Sequence, residues 1–157
     1  IHNELTSDEM LDRMANANVS AAMQPMFDRL WAGSKGLYEK RLGMDRTSRT
    51  TRLASVYNRN ILLTGGSDWY ITDMNALMGI DAATRIHNEK EQLSAYQAIE
   101  IYTKNAAILS GDQDRFGTIE KGKLANFVCL EENILESRSI KDIKINSMIV
   151  EGMQNKF

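Results

Sequence analysis

Apolar positions along the chain come in short runs whose period switches between that of a helix and that of a buried strand. Met10, Leu11, Met14 and Ala15 recur at helical spacing with Asp8, Asp12 and Arg13 on the other side, as in a helix with one apolar face. Thr6 and Glu9 stand at the S/T-x-x-E spacing of a capping box and predict where that helix starts. Residues 19–23 form an apolar run too short for a helix, ended by Pro25, and read as a strand. Residues 26–43 carry glycines at 33, 36 and 43 and scattered aromatics (Phe27, Trp31, Tyr38), which predicts a long, partly ordered loop. Asp45 is placed to cap a helix over 46–58, with Leu53, Val56 and Tyr57 inward.

Ile61-Leu62-Leu63-Thr64 has the composition of a buried strand, and Gly65-Gly66-Ser67-Asp68 follows it directly. Leu77, Ile80, Ala83 and Thr84 predict a helix over 74–86. Ser94 and Gln97 form a second capping-box pair, opening a helix that carries Ala98, Ile99 and Tyr102 on one face. A short helix over 105–109 stops at Gly111. Beyond it the texture changes to short strands at 116–119, 125–130 and 143–150. The order is βαβαβαα followed by a small β unit, and the alternation in the first part argues for an α/β fold with parallel strands and helical crossovers.

The 157 residues and 17.7 kDa give room for one domain, or a domain and a small appendage. A complete (β/α)8 barrel takes about 200 to 250 residues, so the chain is too short for one. A net charge of −2 gives no reason to expect nucleic acid as a partner. No apolar run approaches the roughly 20 residues of a membrane span, and no secretory signal pattern opens the chain. A cytoplasmic location is the expectation. The single cysteine, Cys129, excludes an internal disulfide. It reads as a small core residue in a strand.

The sharpest local signal is Gly65-Gly66-Ser67-Asp68-Trp69, at the carboxyl end of a buried strand. In parallel α/β folds that edge carries the active site. Asp68 there can bind a metal or move a proton, or it can simply cap the next element. His2 is a second candidate ligand, or a satisfied core or surface histidine. His87, beside Asn88, Glu89 and Lys90, reads as a solvent-facing residue at a helix end. Lys40, Arg41, Arg46, Arg49, Arg52 and Arg59 read as a solvated outer face, and the nine methionines as fillers of core gaps.

Taken in order, several pieces carry a resemblance. They are Ile1-His2-Asn3-Glu4-Leu5-Thr6-Ser7-Asp8-Glu9, Ala21-Ala22-Met23-Gln24-Pro25, Leu42-Gly43-Met44-Asp45-Arg46 and Gly66-Ser67-Asp68-Trp69-Tyr70. Ala82-Ala83-Thr84-Arg85, Tyr102-Thr103-Lys104-Asn105-Ala106-Ala107 and the stretches 117–130 and 143–152 follow. In this order and spacing the chain resembles the C-terminal portion of a metal-dependent hydrolase of the amidohydrolase superfamily, in its family 3 branch. That branch includes enzymes resembling N-substituted formamide deformylase and proteins labelled as exoenzyme regulators. Two positions depart from the family pattern: Tyr70 stands where a proline is expected, and Asn126 where an aspartate is.

The resemblance implies a partial (β/α)8 TIM barrel, its sixth to eighth strands with their helices in residues 1–112. A segment of a small composite β domain would follow in 113–157. It implies that His2 is the sixth-strand metal ligand and that Asp68 is both the eighth-strand ligand and the catalytic acid–base group. Gly66, Ser67 and Trp69 would line the substrate pocket. A divalent metal, zinc by preference, would serve the full-length parent in hydrolysing carbon–nitrogen bonds of a small amide-like substrate through activated water. The remaining family ligands, an HxH pair, a fourth-strand lysine or acid and a fifth-strand histidine, have no counterpart here. The chain alone is therefore expected to be inactive and to bind no metal. It is also expected to be a homo-oligomer, because missing neighbours would leave strand edges open. The rival expectation is a stand-alone, non-catalytic binding module using the loops around Trp69 and Phe27.

Overall fold

The computed structural model describes residues 1–156, so Phe157, the last residue of the predicted segment 113–157, lies outside the described residues. Helix α1 (Asp8–Asn16) is capped by Ser7, whose hydroxyl accepts the Met10 N–H at 3.2 Å, one position beyond the predicted Thr6–Glu9 pair. Ser7 has the extended backbone an N-cap needs, whereas the Thr6 hydroxyl is buried without a hydrogen-bond partner among the described residues. Strand β1 (Ala21–Met23) follows and ends at Gln24.

The predicted loop over 26–43 is replaced by helix α2 (Pro25–Trp31) and helix α3 (Leu37–Leu42). Pro25 sits in the first turn of α2, where its missing N–H costs nothing. Met26, Phe27 and Asp28 are buried, and the glycines that hid the period fall between the helices. The predicted helix over 46–58 is in fact two, α4 (Met44–Thr47) and α5 (Leu53–Tyr57). Thr50 donates its hydroxyl to the Thr47 carbonyl at 2.8 Å and Thr51 turns left-handed at φ 50°, so local threonine bonding breaks the helix. Asp45 lies inside α4 and pairs with Arg49 at 2.6 Å; Gly43 holds the cap position.

Strand β2 (Leu63–Gly65) pairs parallel with β1, Ala21 opposite Leu63 and Met23 opposite Gly65. Helix α6 (Ala76–Ala83) opens at Asn75, whose side chain accepts the Met78 N–H. Helix α7 (Ala95–Tyr102) has the full Ser94–Gln97 capping box, and α8 (Lys104–Ser110) ends on left-handed Gly111. Strands β3 (Phe127–Leu130), β4 (Ile145–Val150) and β5 (Met153–Lys156) form an antiparallel sheet in that order. Residues 116–119 are not a strand; Gly117 turns at φ 92° against Ala107. β5 lacks the apolar alternation that would mark it as a strand in the sequence. It arises from the left-handed Glu151–Gly152 pair, which folds the chain back on β4.

Leu11, Met23, Leu53, Val56, Leu63, Ile86 and Ile101 are the fully enclosed centre of one core, and Ile140 and Ile143 join it from the C-terminal segment. Asp81, 1% exposed, ties these parts together. It accepts from Arg29 of α2 at 3.2 Å, from Arg85 at 3.3 Å and from the Ile140 N–H at 3.0 Å. Among the described residues no helix is long and apolar enough to cross a membrane.

Candidate functional site

The carboxyl end of β1 is held from both sides. The Ala22 carbonyl accepts the His2 N–H at 2.9 Å, and the Met23 carbonyl accepts the Gly66 N–H at 3.0 Å. Successive carbonyls of a strand point to opposite edges. His2 therefore docks on one flank of β1, and the loop that carries Asp68 leaves on the other. No strand is assigned at residues 1–3, so the predicted sixth strand is represented only by this terminal contact.

His2 is fixed by more than its backbone. Its Nδ1 lies 2.9 Å from Gln24 Oε1, and its ring stacks on Phe27 at 5.6 Å and 24°. Phe27 packs on Trp31 at 4.6 Å, and Trp31 on Tyr38 at 6.0 Å. The helices that replace the predicted loop thus carry an aromatic row that backs the histidine. Gln24 is 6% exposed, and a Cβ at Gly66 would come within 3.8 Å of its Nε2. Its amide therefore spans the interval between His2 and the Gly66 loop.

Asp68 is exposed at φ 52°, a left-handed conformation that aspartate tolerates, and its carbonyl accepts the Ile71 N–H at 2.7 Å. Neither α6 nor any other described helix is capped by its carboxylate. Ser67 closes the turn by accepting the Thr72 hydroxyl. Beyond Asp68 the lip is apolar and open: Trp69 is 64% exposed and Tyr70 82%, with a cis peptide bond between them. No hydrogen bond or ion pair joins His2 to Asp68 among the described residues. Nor does any group of three or more His, Cys, Asp or Glu there converge to hold a metal.

A second polar cluster lies behind the first, and the sequence reading missed it. Glu4 accepts the Thr51 hydroxyl at 2.9 Å, while its other oxygen is buried without a hydrogen-bond partner among the described residues. Burial holds the Glu4 carboxyl above its usual range, with a smaller push from Asp28. Burial and the carboxylates of Glu4 and Asp28 likewise push the Tyr38 hydroxyl up. His87 is not solvent-facing. Its Nδ1 meets Asp28 at 2.5 Å, its backbone N–H donates to Asp28 at 2.9 Å, and its Nε2 is buried without a hydrogen-bond partner among the described residues. The only sequence signal for this cluster was an aspartate inside an otherwise apolar first helical turn.

Two further readings need correction. Arg52 is not on a solvated face: it donates to the Thr6 carbonyl at 3.0 Å, to Asp8 at 2.7 Å and to Glu91 at 3.4 Å. With Arg59 on Asp8 and Asp12, it clamps α1 against α5, while Arg46 and Arg49 do face solvent. Cys129 is partly exposed in β3 and stands outside the core.

Comparison with known proteins follows the same lines. Residues 1–154 match the model of the Amidohydrolase family. A putative amidohydrolase of Bacillus subtilis (strain 168), YtcJ, is 26% identical over 97% of this chain, and the match spans 30% of its own length. The protein LONG AFTER FAR-RED 3 of Arabidopsis thaliana is 31% identical over 84% of this chain and 24% of its own. An uncharacterized metal-dependent hydrolase from Pyrococcus horikoshii OT3 superposes with a TM-score of 0.76 at 23% identity, covering 88% of this chain and 29% of that one. An uncharacterized metal-dependent hydrolase from Pyrococcus furiosus reaches 0.69 at 26% identity, covering 78% of this chain and 25% of that one. The parallel strand pair with Asp68 at its open end thus lies within a match that runs almost the whole length of the sequence, and the chain belongs to the amidohydrolase family, in its family 3 branch.

Proposed function

We propose that this chain is the carboxy-terminal section of a metal-dependent hydrolase that cleaves carbon–nitrogen bonds, other than peptide bonds, in small amide-like molecules. In this reading residues 1–112 complete one side of a (β/α)8 barrel and 113–157 belong to a small composite β domain. The observation that carries it is the pair of unengaged groups at one strand end: among the described residues neither His2 Nε2 nor the Asp68 carboxylate makes a hydrogen bond or ion pair, while their neighbours are bonded.

An imidazole nitrogen and a carboxylate oxygen suit zinc or a similar divalent cation. They fit such an ion as two members of a larger set, since catalytic zinc normally takes three protein ligands. The rest would come from polypeptide outside this chain. The ion would supply a Lewis acid and lower the pKa of bound water. Asp68 then takes the proton of the attacking water on a carboxylate oxygen and returns it to the departing nitrogen, as base and then acid. The open Trp69, with Gly66 and Ser67 beneath it, would line the substrate side. The polypeptide encoded by the complete reading frame provides the test. Stoichiometric metal, and hydrolysis of N-formyl or N-acyl amines lost in Asp68→Asn, support the reading. A protein that takes up no metal from zinc solution and hydrolyses none of these substrates overturns it in favour of the non-catalytic binding module, and activity kept in D68N overturns the role given to Asp68. The 157-residue chain alone is expected to turn over none of these substrates with added zinc.

A further inference from the structure

We infer that Gln24 is a positioning residue for the candidate metal centre: through its bond to Nδ1 it sets the tautomer of His2 and leaves Nε2 free to ligate. The inference rests on the proposed function and goes beyond it by assigning a role to a residue that touches neither metal nor substrate. A neutral imidazole carries one proton, and whichever ring nitrogen donates a hydrogen bond leaves the other as the lone-pair nitrogen. Gln24 Oε1, at 2.9 Å, can only accept, so Nδ1 must hold the proton. Nε2 makes no hydrogen bond among the described residues.

Three features make this arrangement a built one. Gln24 is buried, 6% exposed, so its amide has little access to water. Its backbone is fixed, because its carbonyl accepts the Phe27 N–H at 3.0 Å and Pro25 follows in the first turn of α2. The His2 ring has no freedom to turn away, since Phe27 covers its face and the Ala22 carbonyl holds its left-handed backbone, φ 66°. The other end of the amide lies beside Gly66, where an added Cβ would stand in ordinary contact with it at 3.8 Å. Gln24 therefore registers the histidine side of β1 against the aspartate side. Groups that orient metal-bound histidines in this way typically change metal affinity by roughly 10- to 100-fold when lost.

The test has two arms. The first records long-range 15N–1H correlations of the His2 ring in the 157-residue chain, without metal, at a pH where the imidazole is neutral. Wild type is expected to be the Nδ1–H tautomer. Gln24→Leu should become a mixture of tautomers, and Gln24→Glu, which keeps the acceptor, should restore Nδ1–H. His87 serves as the internal control that the fold is intact. A wild-type Nε2–H tautomer, or one unchanged in Q24L, overturns the inference. The second arm measures zinc loss to a chelator from the complete polypeptide. Weaker retention in Q24L, by roughly 10- to 100-fold, with recovery in Q24E, supports the role. Metal held equally well in Q24L overturns it, whereas a wild type that holds no metal overturns the underlying function instead.

Discussion

Asp28 grips His87 twice, with one carboxylate oxygen 2.5 Å from the ring Nδ1 and the other accepting the backbone N–H at 2.9 Å. The aspartate is 3% exposed, so this pair of hydrogen bonds satisfies a carboxylate that has little access to water. It also fastens α2 to the segment that follows α6, and so steadies the aromatic row behind His2.

Removing the carboxylate should therefore cost more than removing a surface bond. Asp28→Ala is expected to lower unfolding free energy by about 2–4 kcal/mol, and Asp28→Asn by about 1–2 kcal/mol because one acceptor survives. Urea denaturation of the two variants, with His87→Ala and the double variant to close the cycle, checks it. A cycle with no coupling between the two positions would show that they do not act as a pair.

Tyr102 lies across two glycines, one at the end of β2 and one in α6. A Cβ on Gly65 or Gly79 would overlap its ring. Gly65→Ala and Gly79→Ala are each expected to destabilise by about 1–3 kcal/mol through overpacking. Thermal denaturation in the Tyr102→Leu background is the control. If either alanine costs as much there as in wild type, the ring is not the cause.

Two glutamates should act on stability in opposite pH directions. Burial raises the Glu4 carboxyl above its ordinary 4.5, so the folded state binds more protons than the unfolded one just above that value. Stability then falls as pH rises through this window, and Glu4→Gln should remove the fall. Glu100 is held below the ordinary value by the Tyr57 hydroxyl at 2.5 Å and by Lys104. Its contribution is complete above 4.5 and is lost as pH drops through the folded value, a loss that Tyr57→Phe should shrink. Urea midpoints between about pH 3 and 7 for both variants decide the signs.

The β3–β5 sheet leaves Val128, Ile145, Val150 and Met153 between 39% and 69% exposed. Such a surface on a small domain favours association. We expect the isolated chain to form homo-oligomers, measured as a mass above 17.7 kDa by light scattering after size-exclusion chromatography. A monomer at both low and high concentration would refute this.

What the sequence determined by itself was local. The Ser94–Gln97 capping box, the Gly111 stop, the strands around Met23, Leu63 and Ile149 and the placing of Asp68 just past a buried strand are all encoded within a few residues, where one turn's hydrogen bonds decide the outcome. The motif order through His2, Gln24, Asp68 and Asn105 likewise pointed to the family that the comparison with known proteins returned. Only the tertiary structure decided the rest. α2 forms where glycines had masked any period, because burial of Phe27 against His2 and Trp31 outweighs weak local propensity, and α3 rests on it through the contact of Tyr38 with Trp31. Arg52 and His87 look like surface groups in one dimension, yet each finds carboxylates more than 30 residues away. The link from His2 through Gln24 to Gly66 belongs to the same class, since it exists only once β1 separates two segments that the chain itself keeps more than sixty residues apart.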